Sequence, residues 1–252
     1  MQTVLITGAT GAIGSALARE YAAPGTRLVL HGRRAELLQE LAGRCRAAGA
    51  EVETHHFDLR DIAQTRRWVE AVEAARGIDL LFANAGMNTN TGERGEGEDW
   101  QAVADLIDLN VKATLALVHA ALPGMRRRRS GQIALMSSLA GYFGLPVTPA
   151  YSASKAALKA YGEALRGWLQ PEGVRVSVVM PGYVDSAMCR AMPGPKPFLW
   201  LPDKAARAIR RGLERDRARI SFPFPLNFGC WLLSVGHPAM AIFFLRLLNY
   251  RA

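Results

Sequence analysis

Acidic side chains are scarce along this chain: 22 Asp and Glu stand against 31 Lys and Arg, leaving a formal charge of +9. A surplus of that size suits nucleic acid, an anionic membrane surface or a phosphate-rich ligand. Its distribution argues against nucleic acid, because the cations are scattered and the one dense run, Arg126 to Arg129, has no interleaved aromatics on which bases would stack. That run reads as a solvated helix end, where positive charge is favoured. Cysteine is scarcer still. Cys45, Cys189 and Cys230 are odd in number, far apart and without CxxC or Cys/His spacing, which argues against disulfides and against any metal site. An uninterrupted apolar run of the ~20 residues needed to span a bilayer is also lacking, since Gly236-His237-Pro238 divides the best candidate, Phe228 to Leu245. The opening MQTVLITGAT lacks the basic, apolar and small-residue pattern of a secretion signal. The expectation is a cytoplasmic protein, with peripheral contact to the inner face of a membrane left open.

Half of the residues are apolar and 21% are charged, which is ample for a large core. With 252 residues, one α/β domain is expected. Short β-rich runs alternate with helical patterns throughout, the signature of βαβ units. Strands are predicted at Thr3 to Thr7, Arg27 to His31, Glu51 to Phe57, Asp79 to Ala83, Gln132 to Ser137, Arg175 to Met180 and, as a seventh candidate, Arg219 to Phe222. Several are apolar on consecutive residues, as when helices cover both faces of a sheet. Helices are predicted near 12–22, 34–48, 61–76, 99–129, 150–170 and 203–217. The fold expected is therefore a Rossmann-like, doubly wound parallel sheet of six or seven strands with helices on both faces, occupying 1–222. Residues 223–252 form an apolar extension of the same domain.

Two stretches break the rhythm. Gly86 to Glu98 is rich in Gly, Asn, Thr and Glu and reads as a surface loop. Pro181 to Pro202 holds five prolines and two glycines in twenty-two residues, which rules out one continuous helix or strand. Its place directly after a predicted strand makes it a candidate lid, because ligands of open α/β sheets bind beyond the carboxyl ends of the strands.

The first strand runs into Thr7-Gly8-Ala9-Thr10-Gly11-Ala12-Ile13-Gly14 and then into a helix. In that context glycines let backbone N–H groups approach a pyrophosphate at the positive end of the helix. Gly8, Thr10, Gly11, Ala12, Ile13 and Gly14 are thus candidate nucleotide contacts. An NAD site would place an acid at the end of the second strand, where this chain has His31-Gly32-Arg33-Arg34. Arg33 and Arg34 instead suit the extra phosphate of NADP(H).

Taken together, these features resemble the short-chain dehydrogenase/reductase family over roughly residues 1–190. Asp58-Leu59 looks like the family's adenine contact and Asn84-Ala85-Gly86 like its sheet-stabilising turn. Asn110, Ser138, Tyr151 with Lys155, and Pro181-Gly182 follow in the family's order and approximate spacing. Val184 and Ser186 stand where the family contacts the nicotinamide carboxamide. One departure is the GxxGxxG spacing, with Ala12 in place of a glycine. That spacing is closer to the extended branch with its sugar-nucleotide epimerases, which carry a larger C-terminal region than the seventy or so residues after Pro181.

The resemblance implies an NADP(H)-dependent oxidoreductase that interconverts a carbonyl and a secondary alcohol. Tyr151 and Lys155 are four apart in a predicted helix, so both lie on one face. An ammonium beside a phenol favours its ionised form, and Lys155 is expected to lower the Tyr151 pKa. By resemblance Tyr151 is the general acid/base, Lys155 also holds the nicotinamide ribose, Ser138 polarises the carbonyl oxygen and Asn110 orients a relay water. The apolar tail after Phe222 has three readings: a wall of the substrate pocket, a subunit interface, or an element lying on a membrane helped by Arg246 and Arg251. With Phe198, Leu199 and Trp200 it favours a hydrophobic small-molecule substrate. A homodimer or homotetramer is expected, and no nucleic-acid partner. The alternatives are a non-catalytic dinucleotide-binding sensor or scaffold and a membrane-associated lipid-modifying reductase.

Overall fold

The computed structural model describes residues 1–92, 95–192 and 194–247. Seven parallel strands, β1 (Gln2–Ile6), β2 (Thr26–His31), β3 (Glu51–His55), β4 (Leu80–Ala83), β5 (Gly131–Met136), β6 (Val174–Pro181) and β7 (Arg219–Phe222), form one sheet in the order β3-β2-β1-β4-β5-β6-β7. The register sets Val4 beside both Leu28 and Leu80, so three apolar runs stack at the centre. Between β3 and β4 the chain crosses from one side of β1 to the other. That switch leaves a crevice beyond the carboxyl ends of β1 and β4.

Side chains alternate across each strand, and both faces are covered. One face buries Ile6, Leu28 and Phe82 against Leu17 of α1 (Ala12–Tyr21), Leu38 of α2 (Ala35–Ala47) and a later helix; the other buries Leu5, Val29 and Leu81 against Val69 of α3 (Ile62–Arg76). Asp61 caps α3 by accepting from the Gln64 N–H at 2.9 Å, which satisfies one of the first-turn donors.

The long helix expected over 99–129 is interrupted. α4 (Trp100–Ile107) passes through a π-helical segment, Asp108–Ala113, before α5 (Thr114–Arg127). Apolar periodicity carries no signal for that extra residue per turn. The run Trp100–Arg127 has the length and composition of a membrane span, but 61% of its most apolar window is buried inside the protein, so it is a core helix here.

α6 (Pro149–Leu169) opens with proline at its first position, where a missing N–H costs nothing. Within the proline-rich stretch after β6 lies α7 (Ala187–Ala191), a single short helix, followed by α8 (Pro202–Glu214), whose Ile209 and Leu213 complete the first core. The apolar tail folds as α9 (Leu226–Val235) and α10 (Pro238–Leu247), divided at Gly236 and His237.

Candidate active site

The carboxyl ends of β1 and β4 are clamped together by one threonine and one asparagine. The Thr7 hydroxyl donates to the Phe82 carbonyl at 3.2 Å and accepts from the Asn84 and Ala85 N–H groups at 3.0 and 3.1 Å. Asn84 Nδ2 donates to the Thr7 carbonyl at 2.8 Å. Gly8 then turns through φ +65°, a left-handed conformation that favours glycine. A Cβ on Gly14 would fall 2.3 Å from the Gly8 carbonyl oxygen, so the turn closes only because that position is bare. Ala12 carries its methyl as the first residue of α1 and faces the cleft with Thr10, Gly11 and Ile13. The α1 N-cap, Gly11, has no side chain to satisfy the first-turn donors.

At the end of β2 the two arginines part company. Both are exposed and line the cleft, but Arg34 donates to the Thr10 carbonyl and braces the loop, whereas Arg33 has no hydrogen bond or ion pair among the described residues. Asp58 does not line the cleft as the adenine-contact expectation required. Its carboxylate turns to Arg60, at 2.7 and 3.0 Å, and Arg60 reaches on to Asp105 of α4 at 2.7 Å. The Arg60 hydrogen bond holds the Asp58 carboxyl below its ordinary range. Leu59 alone of that pair lines the cleft.

Sequence reasoning passed over His31, which also lines this end. Burial pushes it down to about 4, so the ring is neutral, and its Nε2 lies 3.0 Å from the Phe57 carbonyl. A neutral ring facing a carbonyl carries its proton on Nε2. The signal available was a histidine closing the apolar run Leu28 to Leu30.

Tyr151 and Lys155, one turn apart on α6, both face the cleft. Lys155 is 5% exposed; its Nζ donates to the Met136 carbonyl at 2.8 Å and stands 5.4 Å from the centre of the Tyr151 ring. The Ser138 hydroxyl hydrogen-bonds the Tyr151 phenol. Its neighbour Ser137 points the other way and donates to the Lys155 carbonyl at 2.7 Å, tying β5 to α6. Gly86 leaves room for the ammonium, since a Cβ there would sit 3.5 Å from Lys155 Nζ and 3.1 Å from Asn110 Oδ1.

Asn110 is fully buried in the π-helical segment and does not line the cleft. Its Oδ1 accepts from the Met87 N–H at 2.8 Å, and its Nδ2 donates to the Met87 carbonyl and the Ser154 hydroxyl at 2.9 and 3.1 Å. The Asn110 side chain is thus engaged by the protein. It straps the loop after β4 to α6.

Tyr151 keeps some exposure to the cleft, yet desolvation outweighs its other contacts. Desolvation pushes Tyr151 up to about 12, and the Ser138 hydrogen bond is the contact that opposes it. Desolvation likewise lowers Lys155 to about 8. At neutral pH the phenol keeps its proton and the lysine keeps its charge. Desolvation dominates the phenol, and the contact that lowers it is the Ser138 hydroxyl, not the Lys155 ammonium.

The remaining walls come from the segment after β6 and from the tail. Gly182 donates to the Phe222 carbonyl at 2.7 Å, and Val184 bridges to Trp200, whose ring stacks on Phe222 with centroids 4.8 Å apart. Ser186 caps α7 by accepting from the Cys189 N–H at 3.0 Å. Pro181, Gly182, Val184 and Ser186 all line the cleft, as do Leu226, Leu233 and Leu245 of the two terminal helices. The cleft is open on one side and its volume is about 1600 Å³, larger than the ~300–1000 Å³ of a usual small-molecule pocket. Of the three readings of the tail, the pocket wall is realised by these residues; Arg251 lies outside the described residues.

Comparison with known proteins adds to this geometry. The short chain dehydrogenase family model matches residues 2–194. An uncharacterized oxidoreductase of Myxococcus xanthus is 38% identical over 226 residues, covering 89% of this chain and 88% of that protein. Another from Mycobacterium tuberculosis is 32% identical over 242 residues, covering 92% and 94%. Among solved structures, a short-chain dehydrogenase from Sphingobium yanoikuyae in complex with NADPH aligns with a TM-score of 0.80 at 27% identity, covering 98% of this chain and 94% of that one.

Proposed function

The chain belongs to the short-chain dehydrogenase family of oxidoreductases, and from that premise we propose that it is an NADP(H)-dependent enzyme interconverting a carbonyl and a secondary alcohol on a hydrophobic small molecule. The observation that carries the reading is one cleft lined at once by the glycine turn, Arg33, Ser138, Tyr151 and Lys155. A scaffold or sensor has no use for a buried lysine and a hydroxyl converging on a phenol, so the catalytic reading is preferred.

The nucleotide fits the residues present. First-turn N–H groups of α1 without a side-chain cap suit a pyrophosphate, and the unengaged Arg33 guanidinium suits a ribose phosphate. The NADPH held by the Sphingobium yanoikuyae relative supports the same choice. Bound NADP(H) supplies or accepts the hydride. Tyr151 donates its phenolic proton to the substrate oxygen as that oxygen gains charge. Ser138 donates a hydrogen bond to the same oxygen. The Lys155 ammonium compensates the charge left on the phenol, and Asn110 is a positioning residue that holds α6 against the loop after β4. A phenol protonated at neutral pH is in the state that reduction requires, with a proton to give.

Residues 1–222 form the catalytic body with 181–202 as its lid, and 223–252 extend the same domain. Assembly as a homodimer or homotetramer in the cytoplasm completes the proposal. The test is NADPH consumption against a panel of ketones, aldehydes and 3-oxoacyl thioesters, with Tyr151→Phe as control. Turnover of apolar ketones that disappears in the variant is expected; a variant with full turnover overturns the assigned role.

A further inference from the structure

The α9–α10 pair is apolar on both sides, and only one side is needed to line the cleft. α9 buries no residue and α10 buries only Ala241 and Leu245. Outward-facing Phe228, Trp231 and Phe243 are exposed and do not line the cleft, with Phe243 64% exposed. An apolar patch of this extent on a protein surface marks an interaction site. The charge pattern narrows what it meets. No Asp, Glu, Lys or Arg occurs from Ile220 to Leu245, and after Asp216 the chain carries arginines but no acid. An apolar surface whose own segment carries no acid and reaches the exposed Arg246 is complementary to a lipid surface with anionic headgroups.

The rim of the cleft coincides with this patch. Met188, Phe198, Leu232, Val235, Met240 and Phe244 are each exposed and each line the cleft. A second protein seated there would cover the mouth, whereas a bilayer would open it onto dissolved apolar molecules. Helices of ten residues reach about 15 Å against the ~30 Å of a hydrocarbon core, so they lie in the interface and do not cross.

We infer that the α9–α10 hairpin seats the protein on an anionic phospholipid surface and admits a membrane-dissolved lipophilic ketone or alcohol to the cleft. The substrate class rests on the oxidoreductase reading above. The seating does not.

Flotation of the full chain with phosphatidylglycerol vesicles and with phosphatidylcholine vesicles tests the seating. Association with the first, weaker with the second, is expected. Phe228→Glu/Phe243→Glu should lose roughly tenfold in partitioning for each aromatic withdrawn while still reducing a short water-soluble ketone. A wild-type chain that stays unbound to both vesicle types overturns the inference, and so does a double variant that partitions unchanged. If the wild type ignores vesicles and the substitutions convert a sedimenting dimer to a monomer, the patch is a protein interface and the inference fails. Should the double variant not fold, quenching of the wild type by vesicles of brominated phosphatidylglycerol, referenced to Trp231→Phe, decides: loss of most quenching in that variant supports seating, and no quenching of the wild type refutes it. Vesicle binding with no NADPH oxidation on any ketone would sink the oxidoreductase reading alone.

Discussion

The two ends of the cleft are built on different principles. At the nucleotide end the ligand surface is backbone, shaped by Gly8 and Gly14 and locked by the Thr7 and Asn84 hydrogen bonds between β1 and β4. At the far end it is side chain, supplied by α7, α9 and α10, with α9 burying no residue. The family match follows the same division, extending over 2–194 and stopping before the terminal helices. A backbone site tolerates little change, because a single Cβ meets a carbonyl oxygen. A side-chain wall can be re-cut one residue at a time, and the proposed function assigns substrate choice to it.

If the comparison holds, substitutions at one end should leave the other undisturbed. The largest effect belongs to the junction of the two: Tyr151→Phe should lower kcat by about 10²–10⁴-fold, with NADPH affinity, measured by fluorescence titration, changed less than the rate. Next, Arg33→Ala should weaken NADPH binding by roughly ten- to a hundredfold, the worth of a hydrogen bond to a charged group, and leave NADH binding and ketone KM where they were. A shift in ketone KM would break the separation. The pH profile comes third. Lys155, lowered to about 8 by burial, is charged below that value and loses its proton above it. Reductive kcat/KM should therefore be flat below about pH 8 and fall above it by about tenfold per unit; a profile still flat at pH 10 would remove the role given to the ammonium. The smallest effect is expected at the wall. Leu233→Ala should change KM for a bulky ketone by about tenfold or less, with NADPH affinity unaltered by the same titration.

The backbone end was the more legible in sequence. A strand, a glycine turn and a helix in succession have few physical outcomes, and a missing acid after β2 is visible at once. Strand positions were readable for a related reason: central parallel strands are buried on both faces and show as consecutive apolar residues. What residue order does not fix is which partner a side chain takes. Asp58 and Asn110 stand in the expected order, yet Asp58 turns to Arg60 two residues on and Asn110 to the Met87 backbone and Ser154. Nothing in residue spacing ranks those partners against a ligand or a water. The π-helical segment that carries Asn110 is equally invisible, because it changes helical phase without changing composition.

What the sequence by itself determined is the layered α/β architecture, the glycine turn and the placing of Tyr151 and Lys155 on one helical face, since each follows from local periodicity and backbone sterics. The tertiary structure alone decided that desolvation pushes Tyr151 up to about 12, and that the terminal helices line the cleft with some apolar side chains and leave others, such as Phe228 and Phe243, outside it. Desolvation and surface exposure depend on what packs around a residue, and those neighbours come from distant parts of the chain.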